Sequence, residues 1–207
     1  MATTGGGSLA PEGPESGVGS KREAHPEPRI AGTVINSLQK YLHAAHGPGA
    51  FDRVMARVSA EDRSHFAGIV SPLQWYPTHA ALALMDAGRD LFGPHDFHER
   101  YGASSADDQI HTIYRFLLRL TSPTWMINRG MSMWSRFHNT GVWKVEGSER
   151  SMRGTLRDFA VVHAPYCRVL VGWIWRASQI TGAPGARVWH PECRAAGKSE
   201  CVFIGRW

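Results

Sequence analysis

All three cysteines of this 207-residue chain fall in its last 41 residues, and two of them, Cys193 and Cys201, bracket a loop centred on Gly197. Glycine tolerates positive φ, so such a loop can fold back and bring both thiolates to one point. Zinc takes four tetrahedral ligands drawn from Cys, His and Asp/Glu, and further candidates stand nearby: His190 and Glu192 just before the loop, and Cys167 at the start of the preceding apolar stretch. The competing reading is three buried free cysteines acting as small hydrophobes. An odd count, in a chain whose N-terminus lacks the basic start and apolar centre of an export signal, argues against a disulfide framework. No run reaches the roughly 18 apolar residues of a membrane span, so the chain is expected in the cytoplasm.

Residues 1–28 hold six Gly and four Pro but only Leu9 and Val18 as larger aliphatics. They cannot offset their ordering entropy by burial and are expected as a disordered tail, with one domain over residues 29–207. Lys21 and Arg22 against Glu12, Glu15, Glu23 and Glu27 leave the tail at −2, so the chain's +5 becomes +7 on the folded part. The arginines are scattered singly, without a Lys/Arg run, which disfavours nucleic acid as a partner.

Ile30, Val34, Leu38, Tyr41 and Leu42 recur at helical steps and predict a helix over about 31–45, ended by Gly47-Pro48-Gly49. A short helix on Phe51, Val54 and Val58 follows, with Ser59 and Asp62 as a helix-start signal. Trp75-Tyr76-Pro77 predicts an extended turn, and Thr78 a cap for a helix on Leu82, Met85 and Leu91. Ile110, Ile113, Tyr114, Leu117 and Leu118 predict a helix over about 105–120. Strands are expected at 141–148 and 155–163, a helix at 167–180, and a last strand pair at 186–190 and 201–204. Helices first and strands afterwards give an α+β domain, its helical N-terminal part packed on a small antiparallel sheet.

The stretch 125–138 is apolar on more than one side and should be buried. Plain core is one reading of it. The other makes Trp125, Met126, Met133, Trp134 and Phe137 the lining of a ligand pocket with His138 as its polar anchor, since Met adapts its shape and aromatics stack on flat ligands. Enzyme signatures are missing: no G-x-S-x-G elbow, P-loop, G-x-G-x-x-G or H-E-x-x-H occurs. His43/His46 and His95/His98, three residues apart, could share a helix face, but such pairs are generally solvated.

Cys193-x3-Gly197-x3-Cys201 followed by Val202-Phe203, with Tyr166-Cys167 and Gly172-Trp173 in the helix before, resembles the C-terminal signature of 4-vinyl-reductase-like small-molecule-binding domains, and especially the sensor domains of aromatic-responsive, sigma-54-dependent activators. The likeness in element order extends over about residues 30–207. It implies a structural zinc on Cys167, His190, Cys193 and Cys201, where His190 replaces the family's Glu and Glu192 is the weaker alternative. It also implies a pocket between helices and sheet, with His138 where those sensors place the histidine that binds a phenolic hydroxyl. Their partnering Trp has no secure match, since Trp143 lies in an earlier strand, so phenol is not implied. The same broader fold group holds the haem nitric-oxide-binding sensors, whose expected Tyr-x-Ser-x-Arg motif is absent here, and the TRAPP transport subunits.

The expectation is therefore a cytoplasmic sensor or regulatory domain for an apolar or aromatic small molecule, zinc-stabilised and, as the resemblance implies, a homodimer. With no output domain expected before residue 30 or after Trp207, its signal would pass to a separate protein. The alternatives are a scaffold subunit without an exchangeable ligand and an enzyme acting on a tetrapyrrole precursor. Because the tail offers so little to bury, a chain beginning at Pro28 should melt within a few degrees of the full-length protein by calorimetry; a large drop would show that the tail packs on the domain.

Overall fold

Two glycines set a very close helix contact among the described residues. A Cβ on Gly102 would stand 2.0 Å from the Val169 carbonyl oxygen, and one on Gly172 would stand 2.0 Å from that of Glu99. Only hydrogen fits at either point, so α5 (Phe97–Gln109) and α6 (Ala164–Ile180) run antiparallel with their backbones almost touching. This computed structural model describes residues 1–2, 27–93, 95–110, 134–148 and 150–207.

Around that pair the longer N-terminal helices assemble by burying one stripe each. β1 (Arg29–Ala31) leads into α1 (Gly32–His46), which buries Val34, Ile35, Leu38, Tyr41 and Leu42. Short helices α2 (Ala50–Met55) and α3 (Ala60–Ser64) follow, the second started by Ser59 Oγ accepting from the Asp62 amide as its sequence predicts. β2 (Trp75–Pro77) pairs antiparallel with β1, and α4 (Thr78–Phe92) begins directly after it. The C-terminal half is a four-stranded antiparallel sheet: β3 (Val142–Ser148), β4 (Ser151–Arg157), β5 (Arg187–Glu192) and β6 (Cys201–Arg206), in the order β3-β4-β6-β5. Trp143, Met152, Leu156, Cys201 and Phe203 join the buried core. The α+β class and the helical part against a small antiparallel sheet are as the sequence predicts.

Several local expectations change. Trp75-Tyr76-Pro77 is a strand rather than a turn, because β1, too short to show a pattern, pairs with it. Thr78 is not a cap: Pro77 holds that position, and the Thr78 hydroxyl is buried without a partner. The helix expected from 105 starts eight residues earlier, at Phe97, since its buried face alternates Phe97, His98, Tyr101, Gly102, Ser105 and Ala106 and so carries little hydrophobic signal. It ends at Gln109, and residues 111–120 lie outside the described ones. The second strand runs over 151–157 rather than 155–163; Asp158 takes a left-handed φ of 51°, which turns the chain out of the sheet. Pro165 lies inside the first turn of α6 instead of preceding it, a position where its missing N–H costs nothing. The 1–28 tail lies almost wholly outside the described residues.

Gly172→Ala should force α5 and α6 apart and cost roughly 1–3 kcal/mol, as overpacking does. Urea denaturation would read this as a lower midpoint; an unchanged midpoint would mean the helices separate freely.

Candidate functional site

The first turn of α6 collects three functional side chains. His163 caps the helix, its Nδ1 accepting from the Tyr166 amide at 3.1 Å. That bond leaves the proton on Nε2, which donates to Asp86 of α4 at 2.8 Å. His98 of α5 brings its Nε2 to 3.3 Å from the other Asp86 oxygen, off the line of a hydrogen bond. Burial opposes ionisation of Asp86, but His163, His98 and Arg89 outweigh it and hold the carboxyl well below the usual range. The next two functional residues, Tyr166 and Cys167, project toward different sites.

Cys167 meets the C-terminal loop. Its Sγ lies 4.0 Å from that of Cys193 and 3.8 Å from that of Cys201, and with His190 the four ligand atoms all lie within 4.8 Å of one another. Thiolates bound tetrahedrally at about 2.3 Å stand about 3.8 Å apart, so the spacing suits a single metal ion. Local backbone chemistry builds the loop: the Cys193 carbonyl accepts from the Ala196 and Lys198 amides, Gly197 takes φ 80°, and the Arg194 amide donates to Cys201 Sγ at 3.4 Å. His190 stacks on Phe203 at 4.4 Å and donates from Nδ1 to the Val202 carbonyl at 2.7 Å. That bond fixes the tautomer and leaves Nε2, which has no hydrogen-bond partner, as the ligand atom. The Glu192 carboxylate stands apart, 3.8 Å from Arg153. Within the protein alone, the hydrogen bond from Cys167, against burial and with help from His190, holds the Cys201 thiol below its ordinary value. Burial opposes protonation of His190, but Cys201 and Cys193 push it up to about 9. Without a metal the cluster thus favours a thiolate at Cys201, while the neighbouring Cys201 and burial raise the Cys167 thiol.

Tyr166 meets the second site. Its hydroxyl lies 2.5 Å from His138 Nε2, and both residues are buried. His138 stacks on Trp134 at 3.7 Å and meets Phe159 edge-on, while its segment is pinned to β1 through Asn139 and Arg29. Burial, with the Trp134 carbonyl partly opposing, pushes His138 down to about 3, so the ring is neutral; its Nδ1 has no hydrogen-bond partner. These residues border a cavity of about 120 Å³ lined by Trp134, Phe137, His138, Trp143, Tyr166, Trp173 and other, mostly apolar side chains. Polar groups on its wall bond within the protein: Tyr101 donates to the Val34 carbonyl, Trp173 to Gln109, and Ser178 to the Ile174 carbonyl. Of the expected pocket residues, Trp134, Phe137 and His138 come together here, while Trp125, Met126 and Met133 lie outside the described residues. Sequence reasoning missed Tyr101, Trp143 and Trp173 as wall residues, and the Asp86–His163 anchor; nothing in local spacing links residues so far apart.

No family model matches the chain, and no curated protein matches it. The fold has solved counterparts. An H-NOX protein from K. algicida in the Fe(II) unliganded state is 12% identical with a TM-score of 0.63, over 86% of this chain and 96% of that one. A triple mutant of an H-NOX protein from S. oneidensis in the Fe(II) state is 12% identical with a TM-score of 0.65, over 86% and 95%. A structure described under haem redox potential and porphyrin distortion is 10% identical with a TM-score of 0.59, over 86% and 100%. The chain has the H-NOX fold. That bears out the broad fold group of the haem nitric-oxide-binding sensors; it does not reach the finer 4-vinyl-reductase and sigma-54 resemblance.

Haem, which this fold brings to mind, does not fit the described residues. The cavity is far smaller than the roughly 300–1,000 Å³ that enclose drug-sized ligands, and no Lys or Arg among its described lining residues could meet a propionate. Among the described residues no helix is long and apolar enough to cross a membrane.

Since a depressed carboxyl stabilises the fold above its unfolded value and that stability is lost as pH falls toward its folded value, Asp86 should contribute to an acid limb of unfolding that begins below about pH 4. Asp86→Asn should lower the melting temperature at neutral pH and flatten that limb; a parallel acid limb in the variant would show that other carboxyls carry it.

Proposed function

We propose that the chain is a sensor or regulatory domain for a small, uncharged, apolar molecule, stabilised by a structural zinc on Cys167, His190, Cys193 and Cys201. The observation that carries the ligand reading is the mostly apolar, aromatic-lined cavity beside His138, whose imidazole is neutral. An engineered cavity of about 150 Å³ with apolar walls stays dry and takes up benzene, so about 120 Å³ suits a ligand of one small ring or less. Trp134, Phe137 and His138 form its ligand-facing wall in this reading, and Trp125, Met126 and Met133 would extend it. Sulfur spacings of 3.8 and 4.0 Å and a histidine with a fixed tautomer support zinc, whose Cys3His sites are closed and structural. The H-NOX fold supports a sensor that acts on a separate output protein.

Elemental analysis of protein prepared without chelator should find one zinc per chain. Cys201→Ser should release it and lower the melting point, because a site completed only by folding makes metal affinity part of folding stability. If His190→Ala keeps zinc while Glu192→Ala loses it, the fourth ligand is Glu192. Ligand uptake is read with benzene or toluene through tryptophan fluorescence, since Trp134, Trp143 and Trp173 border the cavity. Ala177→Leu, which fills the wall opposite, should abolish the response and keep the zinc. Absence of any response in the wild type would favour the scaffold reading, with the cavity as packing space only.

A further inference from the structure

The two edges of the four-stranded sheet are built differently. β5 carries Pro191, and its pairing with β6 slips between Trp189 and Glu192. A proline and a bulge are standard ways of blunting an edge against further strands. β3, at the other edge, has neither: its seven residues pair with β4 in unbroken register, and among the described residues no strand lies on its free side. An edge of that length offers a row of unpaired N–H and C=O groups. Its outward side chains are exposed, Val142 at 49% and Lys144 and Glu146 at 65% and 59%, and the last two bind each other at 2.5 Å.

We propose that β3 is a dimer interface that receives the β3 of a second copy of this chain, antiparallel, about a two-fold axis at Val145. Charge complementarity along the strand selects this partner. With Val145 opposite itself, Val142 faces Ser148, Trp143 faces Gly147, and Lys144 of each copy faces Glu146 of the other, so all seven residues are paired. Opposite charges directly across an antiparallel pair stabilise it and like charges oppose it. Sliding by two residues in either direction puts Lys144 opposite Lys144 or Glu146 opposite Glu146. Sliding by one sets an outward residue of one copy beside an inward residue of the other. The centred register is thus the one that sets each Lys144 opposite a Glu146 and pairs the whole strand, and it is isologous, as a closed dimer requires. It would join the sheets into eight strands. Val145, on the axis, also lines the cavity, which places the two cavities on either side of the shared edge. The proposal goes beyond the sensor reading and does not depend on what the cavity holds.

The test is a charge swap on the full-length protein, read by sedimentation equilibrium against the chain mass of 22.9 kDa. The wild type should be dimeric at micromolar concentration. Lys144→Glu alone and Glu146→Lys alone each place four like charges at the seam, and each should weaken dimerisation roughly tenfold or more. An equimolar mixture of the two variants should re-form a 1:1 heterodimer, and the double swap Lys144→Glu/Glu146→Lys should restore the homodimer. Thermal melting of each variant checks folding, and the mixture and the double swap keep the result independent of either single variant. A monomeric wild type, single variants that dimerise as strongly as the wild type, or variants that stay apart on mixing would each overturn the proposal.

Discussion

His163 holds α6 from both sides of its ring: one nitrogen accepts the Tyr166 amide and thereby caps the helix, and the other donates to Asp86 of α4. A cap contributes about 1 kcal/mol in general, and a hydrogen bond to a charged carboxylate rather more. Their structural effect is larger than their sum. They fix the rotation and height of the helix turn that carries Tyr166 toward the cavity and Cys167 toward the loop. The glycine contact with α5 then leaves α6 no room to slide, because Val169 and Glu99 carbonyls already sit where a Cβ would be.

From that turn the two sites diverge in chemistry although consecutive residues open them. The Cys3His cluster is polar, built at the end of the sheet by a tight loop, and gains order only when four distant ligands meet. The cavity is mostly apolar, and Tyr101, Trp134, Trp173 and Ser178 on its wall donate their hydrogens to partners within the protein. Phe159 lies between them: it packs against Trp134, His138 and Tyr166, and its carbonyl accepts from Arg194 of the Cys193–Cys201 loop. A small gap of about 10 Å³ lies beside it, bordered by Phe159, Tyr166, Cys167 and Cys201. Any displacement of Tyr166 would therefore be felt by its neighbour Cys167.

The haem question shows how far a fold can be separated from its contents. The same helical layer and sheet that match H-NOX proteins over 86% of the chain enclose here, among the described residues, a space suited to one small ring. Trp134, Trp143 and Phe159 stack or meet edge-on around His138 and occupy volume with fixed aromatic surface. Function on a shared fold follows the site rather than the scaffold.

The amino-acid sequence by itself determined the features that short-range chemistry controls. Helical periodicity placed α1, the Ser59 signal placed α3, and Gly197 between Cys193 and Cys201 announced a folded-back loop, because each depends on residues within one or two turns of one another. His190, Cys193 and Cys201 were legible for the same reason. What only the tertiary structure decided involves residues far apart in the chain. β1 has three residues and becomes a strand only through β2; α5 hides its buried face behind Gly, Ser and Ala because its neighbour is a backbone rather than a side chain; and Asp158 ends β4 by a left-handed turn that no hydrophobic pattern signals. The placement of His190 also belongs here: its ring lies within 4.8 Å of the three sulfurs, while the Glu192 carboxylate lies beside Arg153. The neutrality of His138 likewise comes from burial by distant elements, since desolvation depends on everything packed around a group and not on its neighbours in sequence.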